Sequence, residues 1–346
     1  ASAGVVTYHY DFPEPVVETS GEFDRVTMRG AWSHGEPGLP VLPMMGARLL
    51  LPPGEEISDI SIAPGRRIVL GEGYMVEPGQ PQYPLSHVGP VEETPADYSG
   101  LGLVPATLHG DPVVGAYRGY TIANIPLLPV EYDPATGRLA YYDGFEVTVT
   151  TRQTRAGLAD VERMIRHDDR TIAALSRMVD NPHDAALYSG IENSAPASRS
   201  LDPAHDYRYI IVTTDSWDDY LADFVDYQTE RGLKAGVFLR SWITANYTGA
   251  DDQEKIREFI IDAYGTWPVE YVLLVGDARD ANGIPHRGLY ADAYGDVDTD
   301  IPGDCYYSSL DGDWNADGDS YYGEASYNHG LEPWYRTADC ARAGGV

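Results

Sequence analysis

Tyr207-Arg208-Tyr209-Ile210-Ile211-Val212-Thr213-Thr214 and Tyr271-Val272-Leu273-Leu274-Val275-Gly276-Asp277 frame the stretch that decides the fold of this chain. Each is a short apolar run rich in β-branched residues and closed by polar or glycine punctuation, so each reads as a strand. Between them the apolar spacing turns helical twice. Trp217, Tyr220, Leu221, Phe224, Val225 and Gln228 fall on one stripe of a helix expected from Asp218 to Arg231, capped by Asp215 or Ser216 and stopped by Gly232. Ile256, Phe259, Ile260, Ala263 and Tyr264 form the stripe of a second helix from Gln253 to Tyr264, with Asp251 and Glu254 as a capping-box-like start and Gly265 as its stop. Ala235 to Leu239 supplies a strand between the two helices. The alternation is a βαβαβ unit with a parallel sheet, and ligands of such sheets meet the carboxyl ends of the strands. Val272 to Val275, apolar at every position, is expected to lie between helix layers.

The text changes character on the N-terminal side. From about residue 5 to 152, short apolar or alternating runs are broken by Gly, Pro, Asp and Asn without a 3.6-residue period. Candidate strands are Ala47 to Leu51, Ile57 to Ile62, Arg67 to Leu70, Tyr117 to Ile125, Leu127 to Tyr132 and Phe145 to Thr151, and a β-sandwich fits them best. Leu158, Val161, Ile165, Ile172, Leu175 and Val179 then recur at roughly helical spacing until Asn181-Pro182 closes the run. Ser189 to Ala204, rich in Ser, Ala, Pro and Asn, reads as a flexible linker open to proteases. The expected class is an α+β multidomain protein: an N-terminal β-sandwich, a helical connector and a partial three-layer α/β domain.

Composition excludes several functions. Twenty-four Lys and Arg stand against 54 Asp and Glu, a formal charge of -30, so a polyanion such as nucleic acid is repelled over most of the surface. The same carboxylates can attract divalent cations or simply keep an extracellular protein soluble. Abundant Tyr (26), Gly (36) and Pro (25) suit turn-rich structure outside the cell. No run of about 18 apolar residues spans a membrane. The start at Ala1-Ser2-Ala3 is expected to follow removal of a signal peptide. Cys305 and Cys340 allow one bridge at most.

The strongest chemical motif is Asp313-Trp314-Asn315-Ala316-Asp317-Gly318-Asp319-Ser320-Tyr321-Tyr322-Gly323-Glu324, which satisfies the calcium-loop pattern D-x-[DN]-x-[DN]-G-x5-E over its whole length. Asp313, Asn315 and Asp317 offer alternate oxygens, Gly318 permits the sharp turn, Asp319 can give its carbonyl, and Glu324 can close the shell with two oxygens. A structural Ca2+ is expected on these five residues. The competing reading is an acidic loop in an acidic protein, since no clean amphipathic helix flanks the motif.

Asp223-Phe224-Val225-Asp226-Tyr227-Gln228-Thr229-Glu230-Arg231-Gly232-Leu233-Lys234, followed by Tyr271 to Asp277 and by Ile284-Pro285, closely resembles the first subdomain of the gingipain family of bacterial secreted cysteine endopeptidases. Gly35-Glu36-Pro37-Gly38-Leu39-Pro40-Val41-Leu42-Pro43 and the β-rich region after it look like that family's propeptide. The resemblance implies a propeptide domain over 1–155, a connector and linker over 156–205, the N-terminal subdomain of a caspase-like catalytic domain over 206–324, and a divergent tail over 325–346. It also implies a catalytic histidine in a Gly-His-Gly and a nucleophile in a Cys-x-Asn-Gly-like turn, and the sequence contains neither. Asn328-His329-Gly330 lacks the preceding apolar strand. Cys340 has no flanking element to hold it, and Cys305 follows Asp298, Asp300 and Asp304, whose field disfavours a thiolate. His286 reads as a loop residue or calcium-site neighbour rather than half of a dyad.

No catalytic residue is therefore assigned here, and the chain is expected to stop short of the Cys/His dyad. Two functions remain. The first is the N-terminal part of a secreted or cell-surface cysteine endopeptidase precursor, acting on polypeptides once completed by its second subdomain. The second is a non-catalytic secreted calcium-binding module for adhesion or partner binding.

Overall fold

The computed structural model describes residues 3–81, 83, 88–279, 283–293, 296–315 and 318–323. The chain is a mixed α/β protein that divides into two units, one built mainly from residues up to 191, the other mainly from residue 192 onward.

The first unit contains β1 (Ala3–Asp11), β2 (Val16–Ser20), β3 (Phe23–Thr27), β4 (Trp32–His34), β5 (Leu42–Leu50), β6 (Glu55–Pro64), β7 (Arg67–Gly71), β8 (Val113–Tyr117), β9 (Tyr120–Leu127), β10 (Val130–Asp133), β11 (Arg138–Tyr142) and β12 (Gly144–Gln153). They pair as β1-β12-β6, β10-β11-β7, β4-β5-β9-β8 and β2-β3. The β12 sequence shows why: Phe145, Val147 and Val149 are buried while Glu146 between them is exposed, the period of two that a one-sided strand demands. Ala47 and Leu49 of β5, Ile125 and Leu127 of β9, and Leu139 and Tyr141 of β11 enter the same core. The expected single strand from Tyr117 to Ile125 is instead a hairpin. Arg118 and Gly119 both take positive φ (48° and 84°) and turn the chain between β8 and β9.

The expected helical run is α1 (Arg155–Met164) and α2 (Asp169–Met178), followed by a 3-10 turn over Pro182–Tyr188. Thr154 caps α1 through the Gly157 N–H, and Asp168 caps α2 through the Thr171 N–H. This segment is integral to the first unit, because Val161, Ile165, Leu175, Val179 and Tyr188 form one cluster with Leu50 and Tyr120. Asn181 imitates a strand: its Oδ1 accepts from the Leu50 N–H at 2.7 Å and its Nδ2 donates to the Leu50 carbonyl at 2.9 Å. The buried Tyr188 hydroxyl accepts from the Thr121 N–H (3.0 Å) and donates to the Leu51 carbonyl (2.7 Å).

The second unit is built on β13 (Tyr209–Thr213), α3 (Ala222–Glu230), β14 (Ala235–Leu239), α4 (Arg240–Asn246), α5 (Asp252–Thr266) and β15 (Tyr271–Val275). All three strands are parallel, in the order β14-β13-β15, with Tyr209 level with both Ala235 and Tyr271. Ile210 and Val212 face α5, whose Ile256, Phe259, Ile260 and Ala263 stripe fills the core as its period requires. Asp251 caps α5 as expected, its carboxylate accepting from the Glu254 N–H, and the helix runs past Gly265 to Thr266.

Three expectations change here. β15 lies at the edge of this sheet, not between helix layers, and Tyr271 and Val272 are 41% and 36% exposed. The first helix starts late: residues 218–220 make a 3-10 turn, whose different pitch carries Trp217 and Tyr220 off the buried stripe to 49% and 76% exposure. Finally, Ser189 to Ala204 is not a free tether. Leu201 is buried in the core of the second unit, Ser198 Oγ donates to Asp262, and the Trp267 indole donates to the Asp202 carbonyl. The remaining elements are a hairpin of β16 (Arg287–Ala293) and β17 (Asp296–Gly303) and the short α6 (Cys305–Ser308).

Candidate functional site

At the carboxyl ends of the parallel strands, Thr213 Oγ1 donates to the Val275 carbonyl and Ser241 Oγ donates to Asp215. Asp277 follows the edge strand, not the central one. Its carboxylate accepts from the Arg279 N–H at 2.9 Å and from the Arg279 side chain, and these bonds hold it below the usual carboxylate range. It caps its own loop, as a turn aspartate does.

A second polar centre lies beyond α5. Arg287 is buried, and its guanidinium forks onto Asp251, Nη1 to Oδ2 and Nη2 to Oδ1, both at 2.8 Å. The rings of Tyr306 and Tyr322 flank that guanidinium at 4.7 and 3.9 Å. Burial opposes the Arg287 charge, but the Asp251 bonds and Tyr306 outweigh it and raise its pKa. Burial likewise pushes Asp251 up, and the bonds from Arg287 and the Glu254 N–H overcome this and hold it low. Arg257, one turn into α5, donates from Nε to the Tyr306 carbonyl at 3.1 Å and from Nη2 to the Ser309 and Asp311 carbonyls at 2.8 and 3.1 Å. Its burial lowers its pKa, yet a guanidinium stays charged at any physiological pH. Neither arginine was legible in the sequence, because their partners are dozens of residues away.

These arginines border the motif that begins at Asp313. Trp314 is buried in the core of the second unit. Asp313 Oδ1 accepts from the Asn315 N–H at 3.0 Å, Gly318 takes φ +74°, and the Gly323 N–H donates to the Trp314 carbonyl at 3.0 Å. The Asn315 amide lies 2.9 Å from the Asp319 carbonyl oxygen, while its Oδ1 is buried and has no hydrogen-bond partner. Of the five expected ligands, Asp313, Asn315 and Asp319 are described; Asp317 and Glu324 lie outside the described residues, as do Asn328-His329-Gly330 and Cys340. Among the described residues no three His, Cys, Asp or Glu side chains converge as a metal cage.

The candidate nucleophile and base do not meet. Cys305 is disulfide-bonded, so it holds no thiolate, and His286 Nε2 sits 3.0 Å from Asp300 Oδ1.

Residues 202–327 match Peptidase family C25. Over a wider stretch the chain is similar to gingipain R2 of Porphyromonas gingivalis (strain W83), 24% identical over 196 residues, covering 56% of this chain and 24% of that protein. It is also similar to gingipain R1 of Porphyromonas gingivalis, 26% identical over 199 residues, covering 56% of this chain and 18% of that protein. The chain thus spans a quarter or less of the length of these relatives. Among solved structures, one on the zymogenic latency of gingipain K from Porphyromonas gingivalis covers 44% of this chain and all of that one at 20% identity and TM-score 0.36. The complex of Porphyromonas gingivalis RgpB pro- and mature domains covers 52% and 93% at 13% identity and TM-score 0.39. The matched segment contains the parallel sheet, both arginines and the whole polar centre from Asp251 to Gly323. Among the described residues no helix is long and apolar enough to cross a membrane.

Proposed function

We propose that this chain is the N-terminal part of a secreted or cell-surface cysteine endopeptidase precursor whose Cys/His dyad lies outside it. The observation that carries this reading is the C25 match over residues 202–327. In this reading residues 1–155 are a β-sandwich propeptide domain, 156–205 its connector, 206–324 the first, caspase-like subdomain of the catalytic domain, and 325–346 a divergent tail. Hydrolysis by such an enzyme runs through a thioester on the cysteine. The bridged Cys305 and the engaged His286 support placing that chemistry elsewhere. Polypeptides are then the substrates of the completed enzyme.

Within the same reading, Asp313, Asn315, Asp317, Asp319 and Glu324 hold a structural Ca2+. The orphaned Asn315 Oδ1 supports it, because a buried amide oxygen without a donor is costly unless a cation takes it up.

The test is peptidase activity of the purified chain on mixed peptides, with calcium and a thiol reductant, beside Cys305→Ala and Cys340→Ala. No cleavage is expected from any of the three, and thiol-dependent cleavage is expected once the catalytic part of the enzyme is supplied. Cleavage by the chain alone that one substitution abolishes overturns the placement of the dyad.

A further inference from the structure

We propose that the exposed rings of Trp217 and Tyr220, beyond the carboxyl end of β13, form a docking platform for a basic segment of a partner protein. Cationic side chains of that segment stack on the rings and pair with the carboxylates around them. The proposal depends on neither the peptidase reading nor the calcium reading.

Neither ring joins the buried stripe of the helix that follows. Trp217 and Tyr220 are 49% and 76% exposed, and their rings meet edge to face with centroids 6.1 Å apart. Large rings left side by side in water mark an interaction surface. The backbone beneath holds them in place: the Trp217 N–H donates to the Thr214 carbonyl at 3.0 Å, the Tyr220 N–H donates to the Trp217 carbonyl at 3.1 Å, and Leu221, the next residue, is buried. Rings on a tied turn lose little freedom when a partner arrives. The position is also one that open α/β sheets use. β13 is both the first strand and the middle one, and the chain leaves it for β14 on one side before returning to β15 on the other. Ligands of such sheets sit outside the carboxyl ends of the strands, where the order reverses.

Charge selects the occupant. Asp215 to Glu230 contains five aspartates and one glutamate but no Lys, Arg or His. Asp218 and Asp219 lie between the two rings in sequence, and both are exposed. This surface repels nucleic acid and anionic membranes, whereas a cation finds ring faces and carboxylates together. The next exposed tyrosine along the chain already carries such a cation. Arg231 lies over the Tyr227 ring at 5.2 Å, and its Nη1 donates to the Tyr227 hydroxyl at 3.1 Å. Among the described residues no cation covers Trp217 or Tyr220, so their faces are open to one from outside. A guanidinium can stack on a ring and fork onto a carboxylate at once, which makes arginine the best-fitting side chain of the partner.

The experiment is a calorimetric titration of the full chain with a capped peptide of alternating Arg and Gly, at about 0.15 M salt to screen long-range attraction. The variants are Trp217→Ala, Tyr220→Ser and the pair Asp218→Asn with Asp219→Asn. The control pair, Glu92→Gln with Glu93→Gln, removes the same charge from an exposed stretch of the first unit. The expected result is saturable binding by the native protein, weakened about 5-fold in each ring variant, about 2–5-fold in the aspartate pair, and unchanged in the control, with the far-UV circular dichroism constant throughout. Should Trp217→Ala disturb the fold, Tyr220→Ser decides, because that ring stands mostly in water. No saturable binding by the native protein, native-like affinity in the folded ring variants, or a control that weakens as much as the aspartate pair overturns the proposal. Binding of a neutral oligosaccharide that the ring variants abolish, without binding of the peptide, overturns it in favour of a sugar platform.

Discussion

The two units solve the same problem, holding a polar segment against a packed layer, with opposite chemistry. In the first, neutral groups suffice: Asn181 and Tyr188 satisfy the backbone of Leu50, Leu51 and Thr121 as if they were strand residues. In the second, Arg257 and Arg287 do it with buried charge, and one of them needs Asp251 ionised. Neutral bonds are indifferent to pH and ions, while an ion pair beside an acidic loop is not. The Asn181 and Tyr188 contacts should therefore persist over conditions that loosen those of Arg287.

Arg287→Met attacks the charged side of this contrast hardest. It strands Asp251 and removes a cation from between two rings, so the second unit should lose about 3 kcal/mol, the low end for a broken buried pair because Asp251 retains access to water. Urea unfolding followed by hydrogen exchange in each unit checks this, and the first unit should not change. Leu201→Ala removes an anchor of the supposed linker from the core and should cost the second unit about 2–3 kcal/mol. An equal result for a linker that hangs free would be no loss at all. Asn181→Ala leaves the Leu50 N–H and carbonyl unpaired in a buried place and should cost the first unit about 2 kcal/mol, with the same loss at pH 4 and pH 7.

The smallest expected effect is the pH dependence itself. The folded pKa of Asp251 is depressed, so its contribution is complete above the unfolded value of about 3.9 and declines as pH falls toward and through the folded value. Asp252, held low first by its bond from Arg240, acts in the same direction. The urea midpoint of the second unit should fall below about pH 4, and Asp251→Asn should flatten that fall. A urea midpoint of the second unit that does not move below about pH 4 would erase the contrast.

What the sequence revealed follows the same division. Tyr271–Val275 and Ala235–Leu239 were readable to the residue because each is an apolar run with sharp polar punctuation. The Asp251 cap was readable because capping is local. The β8–β9 hairpin was not, since Arg118 occupies a positive-φ position that Gly or Asn usually announces. Trp217 and Tyr220 misled because a helical period continues on paper through a 3-10 turn. At the candidate site the ligand pattern was visible as a spacing, but its support was not: Arg257 meets Asp311 54 residues away, and Arg287 meets Asp251 36 residues away. Spacing reports a loop; only folding reports what holds it.

The most direct test of the account is hydrogen exchange of the intact chain with calcium and with chelator. Calcium should slow exchange over α5 and residues 304–323 and leave β1 to β12 unchanged. Equal protection in both conditions, or a change spread evenly over both units, would contradict the proposed calcium site in the segment matching family C25.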